Sequence, residues 1–435
     1  MEKFVITGGT PLSGEITAAG NKNAALPILA ACLLTEEEIL LTNVPRIRDT
    51  EAQVAALEGL GVKAEWGIGN DLRLRADAVT DTAPDEGLSA RIRASFLLAG
   101  PLLARFGEAR MPPPGGDFIG RRRLDPHLDA FKDLGARIDG ARTIEITAPS
   151  GGLQPCSIFM DEPSVMGTEN ALMAAALTPG PTTIQNAASE PHVQDLARLL
   201  VTMGAQIDGI GSNVMTVHGR DKLGGAEHRI CADHIEVASF MALAAATRGE
   251  LRIRDAAPDD LVMIRRQFRR LGLQTMIDGD DVLVPPEQAL EISADLGDAI
   301  PKIDDGPWPA FPADLTSIAV ALATQARGTI LIFEKMFENR MFFVDKLVAM
   351  GARITLCDPH RAIVSGPSRL HGERLSSPDI RAGMAMLIAA LCADGRSEIN
   401  NIREIDRGYE RIDERLRELG AQIERVAVDQ PPVPA

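Results

Sequence analysis

Three cations sit where a helix would ordinarily reject them. Lys22, flanked by Asn21 and Asn23, precedes the apolar run Ala24 to Leu34; Arg93, with Arg91, precedes Ala94 to Phe106; Arg381, after Asp379, precedes Ala382 to Ala393. A helix N-terminus carries roughly half a positive charge, so cations there are unfavourable unless an anion is shared between side chains and helix ends. Three such placements point to a bound anion. Three further apolar runs begin with polar residues but no Lys or Arg: within Ser164 to Thr168, at Asp233 with His234, and at Asp314. Ser, Asp and Asn are ordinary helix caps, so those starts alone carry no functional argument. The most irregular segment is Pro112-Pro113-Pro114-Gly115-Gly116-Asp117, which leads through Arg121, Arg122 and Arg123 to Asp125-Pro126. Arginine runs are usually solvated. These lead directly into a helix start beside a Gly-Gly-Asp, which favours oxyanion recognition.

The elements that must hold these residues repeat. A Leu-Gly or Met-Gly pair closes an amphipathic stretch six times, at Gly61, Gly135, Gly204, Gly272, Gly351 and Gly420, at intervals of 74, 69, 68, 79 and 69 residues. Such regularity marks a repeated structural unit, and each glycine suits the left-handed residue that ends a helix. In the second copy the spacing predicts Asp125 as N-cap with Pro126 in the first turn. A strand, a turn and a second strand are expected after each pair, as in Ala136–Asp139 and Thr143–Ile146. The Ala/Leu/Met-rich helices preceding each unit are apolar on every side and must be buried. The expected fold class is therefore α/β: six repeats of about 70 residues, three per domain, with buried helices inside and sheets outside. Neither a Rossmann nor a P-loop spacing occurs.

At 435 residues two domains are the natural expectation. They are placed at 23–231, and at 1–22 joined with 232–435, the first strand returning to the second half; 427–435 reads as a flexible tail. A net charge of -16 argues against nucleic acid or an acidic membrane as a partner. Five scattered cysteines without a C-x-x-C pair read as reduced cytoplasmic thiols, and the seven histidines show no metal-ligand spacing, so no metal is expected. No apolar stretch is long enough to span a membrane, and the first residues read as a strand rather than a signal peptide. Oligomeric state leaves no signal in the sequence.

Gly20-Asn21-Lys22-Asn23-Ala24-Ala25-Leu26-Pro27, the Pro-Gly-Gly-Asp loop at 114 to 117, Phe311-Pro312-Ala313-Asp314, Phe337-Glu338-Asn339-Arg340 and Ile405-Asp406-Arg407-Gly408-Tyr409-Glu410-Arg411 resemble the UDP-N-acetylglucosamine 1-carboxyvinyltransferase family of enolpyruvyl transferases. The likeness runs from Phe4 to about Val426; the signatures of the shikimate-pathway transferase are not found. The resemblance implies the two-domain inside-out α/β barrel. It also implies a cofactor-free reaction, in which the enolpyruvyl group of phosphoenolpyruvate moves to the 3'-hydroxyl of UDP-N-acetylglucosamine (UDP-GlcNAc) with release of phosphate. This is the committed step towards peptidoglycan. By the same resemblance Lys22, Asn23, Arg122, Arg340, Arg381 and Arg407 bind phosphoenolpyruvate. Arg93, Arg122, Arg123, Leu124, Asp125, Pro126, the Glu162–Val165 loop with Ser164 and Val165, Asp314 and Met336 hold the UDP sugar. Asp117, Lys22, Asp314 and Arg407 are the implied catalytic residues, Asp314 accepting the hydroxyl proton. Since cations of both halves serve one small ligand, closure on substrate is implied as well.

Asp117 departs from the family's usual loop cysteine, the general acid, although some members carry Asp there. To donate a proton near neutral pH, a carboxyl in that place needs burial by loop closure or the negative charge of bound phosphate. Arg123-Leu124 replaces a usual Pro and β-branched pair, and Met166-Gly167 alters the small-residue pattern beside the diphosphate. Two other readings follow from the same residues: enolpyruvyl transfer to another acceptor such as a nucleotide, and a non-catalytic paralogue that binds a UDP sugar.

Overall fold

The computed structural model describes residues 2–117 and 119–427, so all but the first residue of the expected 427–435 tail lies outside the described residues. The chain divides into two compact units. One comprises residues 2–18, 119–121 and 232–427, and the other 19–117 and 122–231. The expected first boundary was at 22/23. It falls at 18/19 because Asn21 N–H donates to Cys231 O at 2.8 Å, and because Gly20 lies so close to Asn43 O that a Cβ would stand 1.8 Å away. Residues 119–121, expected with the first domain, group with the other unit, where Asn339 N–H donates to Ile119 O at 3.0 Å.

Each unit has three sheets, each sheet paired with a helix from the interior. In the 19–231 unit a strand follows each buried helix: Ile39–Thr42 after Lys22–Ala31, Glu108–Met111 after Ala99–Phe106, and Gly180–Gln185 after Val165–Ala176. Each of these strands pairs antiparallel with the second strand of the next hairpin: Leu72–Arg75, Ile144–Thr147 and Val214–Gly219. Alternate residues of the strands (Ile39 and Leu41; Leu72 and Leu74) are buried against the helices while their neighbours face outward, the period-2 pattern of a sheet with one dry face.

The second unit repeats this with helices His234–Ala246, Thr316–Ala323 and Ile380–Cys392. All thirteen residues of His234–Ala246 are buried; Ala238–Ala246 is apolar but for Ser239, as burial on all sides requires, and the buried Glu236 is paired with Arg415 at 2.9 Å. Its third sheet differs. After Gly420 a single strand follows, Gln422–Ala427, and the hairpin's other strand is the chain's own start, Glu2–Thr7, lying between Arg396–Asn400 and Gln422–Ala427. No sheet closes on itself among the described residues; "barrel" here means helices ringed by separate sheets.

All six repeat glycines have positive φ, from 86° at Gly272 to 110° at Gly204, the left-handed conformation that costs an L side chain about 1–2 kcal/mol. Two expected helices begin differently. The 94–106 run splits into a 3₁₀ segment Arg93–Leu98 and the helix Ala99–Phe106. Pro101 has no N–H for a continuous α ladder, and the split places it in a first turn, where none is needed. Asp125 is not the cap. Leu124 takes that position with no side-chain hydrogen bond, and Asp125 stands in the first turn, its carboxylate turned to Arg123 Nε at 3.2 Å.

Candidate active site

In the 19–231 unit, Asn21 caps the helix Lys22–Ala31, its Oδ1 accepting from Asn23 N and Ala24 N at 2.9 and 3.2 Å. Lys22 is 8% exposed and forms an ion pair with Asp49, Nζ to Oδ2 at 2.8 Å. Asp49 stands in the first turn of the surface helix Arg48–Leu60. A cation beside a positive helix end is thus offset by a carboxylate that the sequence did not single out, because an acidic residue in a first turn is ordinary.

Arg93 opens the 3₁₀ segment Arg93–Leu98. Its Nη2 donates to Arg122 O and to Arg123 O, the latter at 3.3 Å, so it holds the backbone that leaves the proline-glycine loop. Burial pulls its guanidinium down to about 10, with the Arg122 charge adding to the effect. Arg123 bridges two segments, reaching Asp125 at 3.2 Å and Asp161 at 2.7 Å. Ser164 caps Val165–Ala176 by accepting from Gly167 N at 3.2 Å, and a Cβ at Gly167 would stand 3.2 Å from Pro126 Cβ. The stretch 122–126 and the loop 162–167 therefore lie side by side. The loop before them is fitted closely to the 89–93 segment. Gly115 N–H donates to Ser89 O at 3.0 Å, a Cβ there would stand 1.9 Å from Ala90 O, and Gly116 (φ +109°) passes beside Arg93. Asp117 ends this run.

Asn170 binds these pieces together. Its Oδ1 accepts from Gly100 N at 2.8 Å; its Nδ2 donates to Phe96 O at 3.0 Å and to His127 Nδ1 at 2.8 Å. His127 is therefore neutral at that nitrogen, and burial, aided by the Arg93 charge, pushes it down to about 3. With a folded value below the ordinary ~6.5, the unfolded chain binds the extra proton first, so this contribution to stability is complete above about pH 6.5 and is lost as pH falls towards 3. At pH 5.5 the expected cost is about 1.4 kcal/mol for this one group. His127→Gln is expected to flatten the fall in urea-unfolding stability between pH 7 and 5.5 by about that amount; a slope identical to the parent's would refute the assignment.

In the other unit Asp314 lies between two arginines. Arg340 Nη2 donates to its Oδ1, and Arg381 Nε to its Oδ2 at 3.1 Å, with the two arginine side chains 8% and 4% exposed. Arg381 starts the helix Ile380–Cys392, whose cap Asp379 accepts from Arg381 N and Ala382 N at 2.9 Å each. Its guanidinium lies 5.5 Å over the Tyr409 ring. Arg407 is paired with Glu404 at 2.7 Å. Met336 is 40% exposed and its N–H donates to Asp305 Oδ2 at 3.3 Å. Burial pushes the Glu334 carboxyl up to about 8, Arg340 opposing the shift and Asp305 adding to it. Glu338 Oε2 accepts from Arg121 N at 3.1 Å, and a Cβ at Gly120 would stand 2.2 Å from that oxygen. Asp49 and Glu334 carry no signal of their own in the sequence, being single acidic residues of common type, and Glu338 lies inside the Phe337–Arg340 motif, where no role is expected of it. Among the described residues no His, Cys, Asp and Glu group could hold a metal ion, and no helix is long and apolar enough to cross a membrane.

Two three-repeat α/β units, each with a buried cation and a side-chain cap at a helix start, define the class of protein to which the chain belongs. The family model for EPSP synthase (3-phosphoshikimate 1-carboxyvinyltransferase) matches residues 6–416. The UDP-N-acetylglucosamine 1-carboxyvinyltransferase of Bradyrhizobium diazoefficiens is 58% identical over 424 residues, covering 98% of each chain. The protein of the same name from Treponema denticola is 54% identical, over 98% of this chain and 99% of that one. Among solved structures, the enolpyruvyl transferase NikO from Streptomyces tendae superposes with a TM-score of 0.86 at 25% identity, covering 98% of this chain and 99% of its own. EPSP synthase from Acinetobacter baumannii, at 18% identity and a TM-score of 0.75 over 98% and 100%, shares the fold. This chain belongs to the EPSP synthase family of enolpyruvyl transferases.

Proposed function

We propose that this enzyme transfers the enolpyruvyl group of phosphoenolpyruvate to the 3'-hydroxyl of UDP-GlcNAc, a cytoplasmic step towards peptidoglycan. The observation that carries the reading is Asp314 held between Arg340 and Arg381: a carboxylate set to take a hydroxyl proton, beside two cations suited to a phosphate and a carboxylate. The full-length likeness to relatives named for that substrate selects the acceptor.

In the addition step the 3'-oxygen bonds to carbon 2 of phosphoenolpyruvate and its proton passes to Asp314, while carbon 3 gains a proton, for which Asp117 is the donor. The resulting tetrahedral carbon carries both the sugar oxygen and the phosphate. In the elimination step the carbon 2–phosphate bond breaks, carbon 3 returns a proton, and the double bond re-forms as the enolpyruvyl ether. Lys22, Asn23, Arg122, Arg340, Arg381 and Arg407 bind the phosphoenolpyruvate anion, and Lys22 and Arg407 offset charge on the departing phosphate. Arg93, Arg122 to Pro126, Ser164, Val165 and Met336 hold the nucleotide sugar.

Phosphate release with phosphoenolpyruvate and either UDP-GlcNAc or UMP tests the reading. Turnover with UDP-GlcNAc alone is expected. Turnover with UMP alone would move the acceptor to a nucleotide, and binding of UDP-GlcNAc without any phosphate release would leave a non-catalytic paralogue.

A further inference from the structure

The turn that carries Arg407 is gripped by an arginine from the last strand. Arg425, on Gln422–Ala427, donates from Nη1 and Nη2 to Asp406 Oδ2 and Oδ1 at 2.9 and 2.8 Å, a two-point fork. It also reaches Asp413 Oδ1 from Nη2 at 2.9 Å and from Nε at 3.3 Å, and Glu2 Oε2 at 3.2 Å, with its guanidinium 5.0 Å over the Phe4 ring. Asp406 is the middle residue of the 3₁₀ turn Ile405–Arg407. In such a turn successive side chains leave the axis about 120° apart, so fixing the plane of the Asp406 carboxylate also fixes the direction in which Arg407 projects.

The same turn is packed without slack against the helix start that carries Arg381. A Cβ at Gly408 would stand 2.3 Å from Ile380 Cγ2, and one at Gly383 would stand 2.6 Å from Ile405 Cγ1. Tyr409, buried and within 3.0 Å of Ser239 Oγ, supplies the ring under the Arg381 guanidinium. A rotation of 405–409 therefore displaces both Arg407 and the face on which Arg381 rests.

We propose that Arg425 is a positioning residue for phosphoenolpyruvate, its fork on Asp406 holding the 405–409 turn so that Arg407 and Arg381 meet the substrate anion in register. This rests on the assignment of those two arginines to phosphoenolpyruvate. A planar guanidinium sets orientation as well as charge; a lysine at the same place keeps the charge and loses the fork. Asp413 is the internal control, since it shares Arg425 but lies outside the turn.

Steady-state phosphate release in Arg425→Lys, Asp406→Asn and Asp413→Asn, with each substrate varied in turn, tests the proposal. Arg425→Lys and Asp406→Asn are expected to raise KM for phosphoenolpyruvate about tenfold while KM for UDP-GlcNAc stays within about twofold. The double variant should be no worse than either single one, because both remove the same contact. Asp413→Asn should keep the parent's phosphoenolpyruvate KM. Should Arg425→Lys fail to fold, Asp406→Asn decides alone. The clamp is overturned if these variants match the parent, if Asp413→Asn shifts as far as Asp406→Asn, or if both KM values rise together. A parent with no turnover overturns the proposed function, and this role with it; an active parent with unshifted variants overturns the clamp only.

Discussion

Asp117→Asn is expected to lower phosphate release by about 10²–10⁴-fold while UDP-GlcNAc still binds, since a positioned general acid or base contributes on that scale. The amide keeps the size and polarity of the carboxyl but cannot hand over a proton. The backbone leading to it is held at Gly115, whose N–H donates to Ser89 O, and at Gly116, which passes against Arg93. A loss of turnover in Asp117→Asn with UDP-GlcNAc affinity retained therefore reports on chemistry rather than on loop collapse. The same residue is expected to set the response to fosfomycin, which, by the family resemblance, acts by alkylating the loop cysteine. That reaction needs a thiolate. None of the five cysteines lies in this loop, and burial pushes Cys32 and Cys392 up to about 12. The enzyme is expected to keep its activity through prolonged incubation with fosfomycin, whereas Asp117→Cys should lose activity with time and gain the mass of one adduct. A covalent adduct on the parent, or near-normal turnover in Asp117→Asn, would remove Asp117 from proton transfer and leave it as a loop-ordering residue.

What was legible in the sequence is what local chemistry writes there. Gly61, Gly135, Gly204, Gly272, Gly351 and Gly420 are visible because a left-handed helix end is nearly specific to glycine, and the apolar helices are visible because burial on all sides leaves no polar stripe. Counter-ions were not legible. Lys22 and Arg93 both read as cations at helix starts, yet Lys22 meets Asp49 and Arg93 turns to the carbonyls of Arg122 and Arg123. Those partners lie 27 to 30 residues away, and only the packing of a surface helix or the path of a proline-glycine loop brings them near. Asp125 shows the limit at the level of one residue. The Asp-Pro pair marks a helix start, but Arg123 competes for the carboxylate and the cap moves to Leu124. The neutral His127 was equally invisible, since its environment comes from Asn170, 43 residues on.

Asp314→Asn is expected to lower turnover by about 10²–10⁴-fold without weakening phosphoenolpyruvate, because its carboxylate and the substrate compete for the same donors. Asp314 takes up one nitrogen from each of two buried arginines, and Arg340 Nε and Arg381 Nη1 are buried without a hydrogen-bond partner among the described residues. A phosphate or carboxylate arriving there gains charge-assisted bonds to guanidiniums already fixed by packing and by the Tyr409 ring. On the proposed assignment the substrate anion draws these donors away and leaves Asp314 freer to accept the 3'-hydroxyl proton. The neutral amide gives up the arginines more easily and accepts no proton, so KM for phosphoenolpyruvate should stay level or fall as kcat falls. Stability should move the opposite way. Removing the anion from between two buried cations costs about 3 kcal/mol, at the low end of the range for a broken buried pair because the Asp314 side chain is 25% exposed. Phosphoenolpyruvate should restore more of the thermal midpoint in Asp314→Asn than it adds to the parent, since only in the variant does it supply the missing charge. A variant with near-parent kcat would take the base role from Asp314. One whose phosphoenolpyruvate KM rises in step with the loss of kcat would show that the carboxylate orders the arginines for the substrate instead of competing with it.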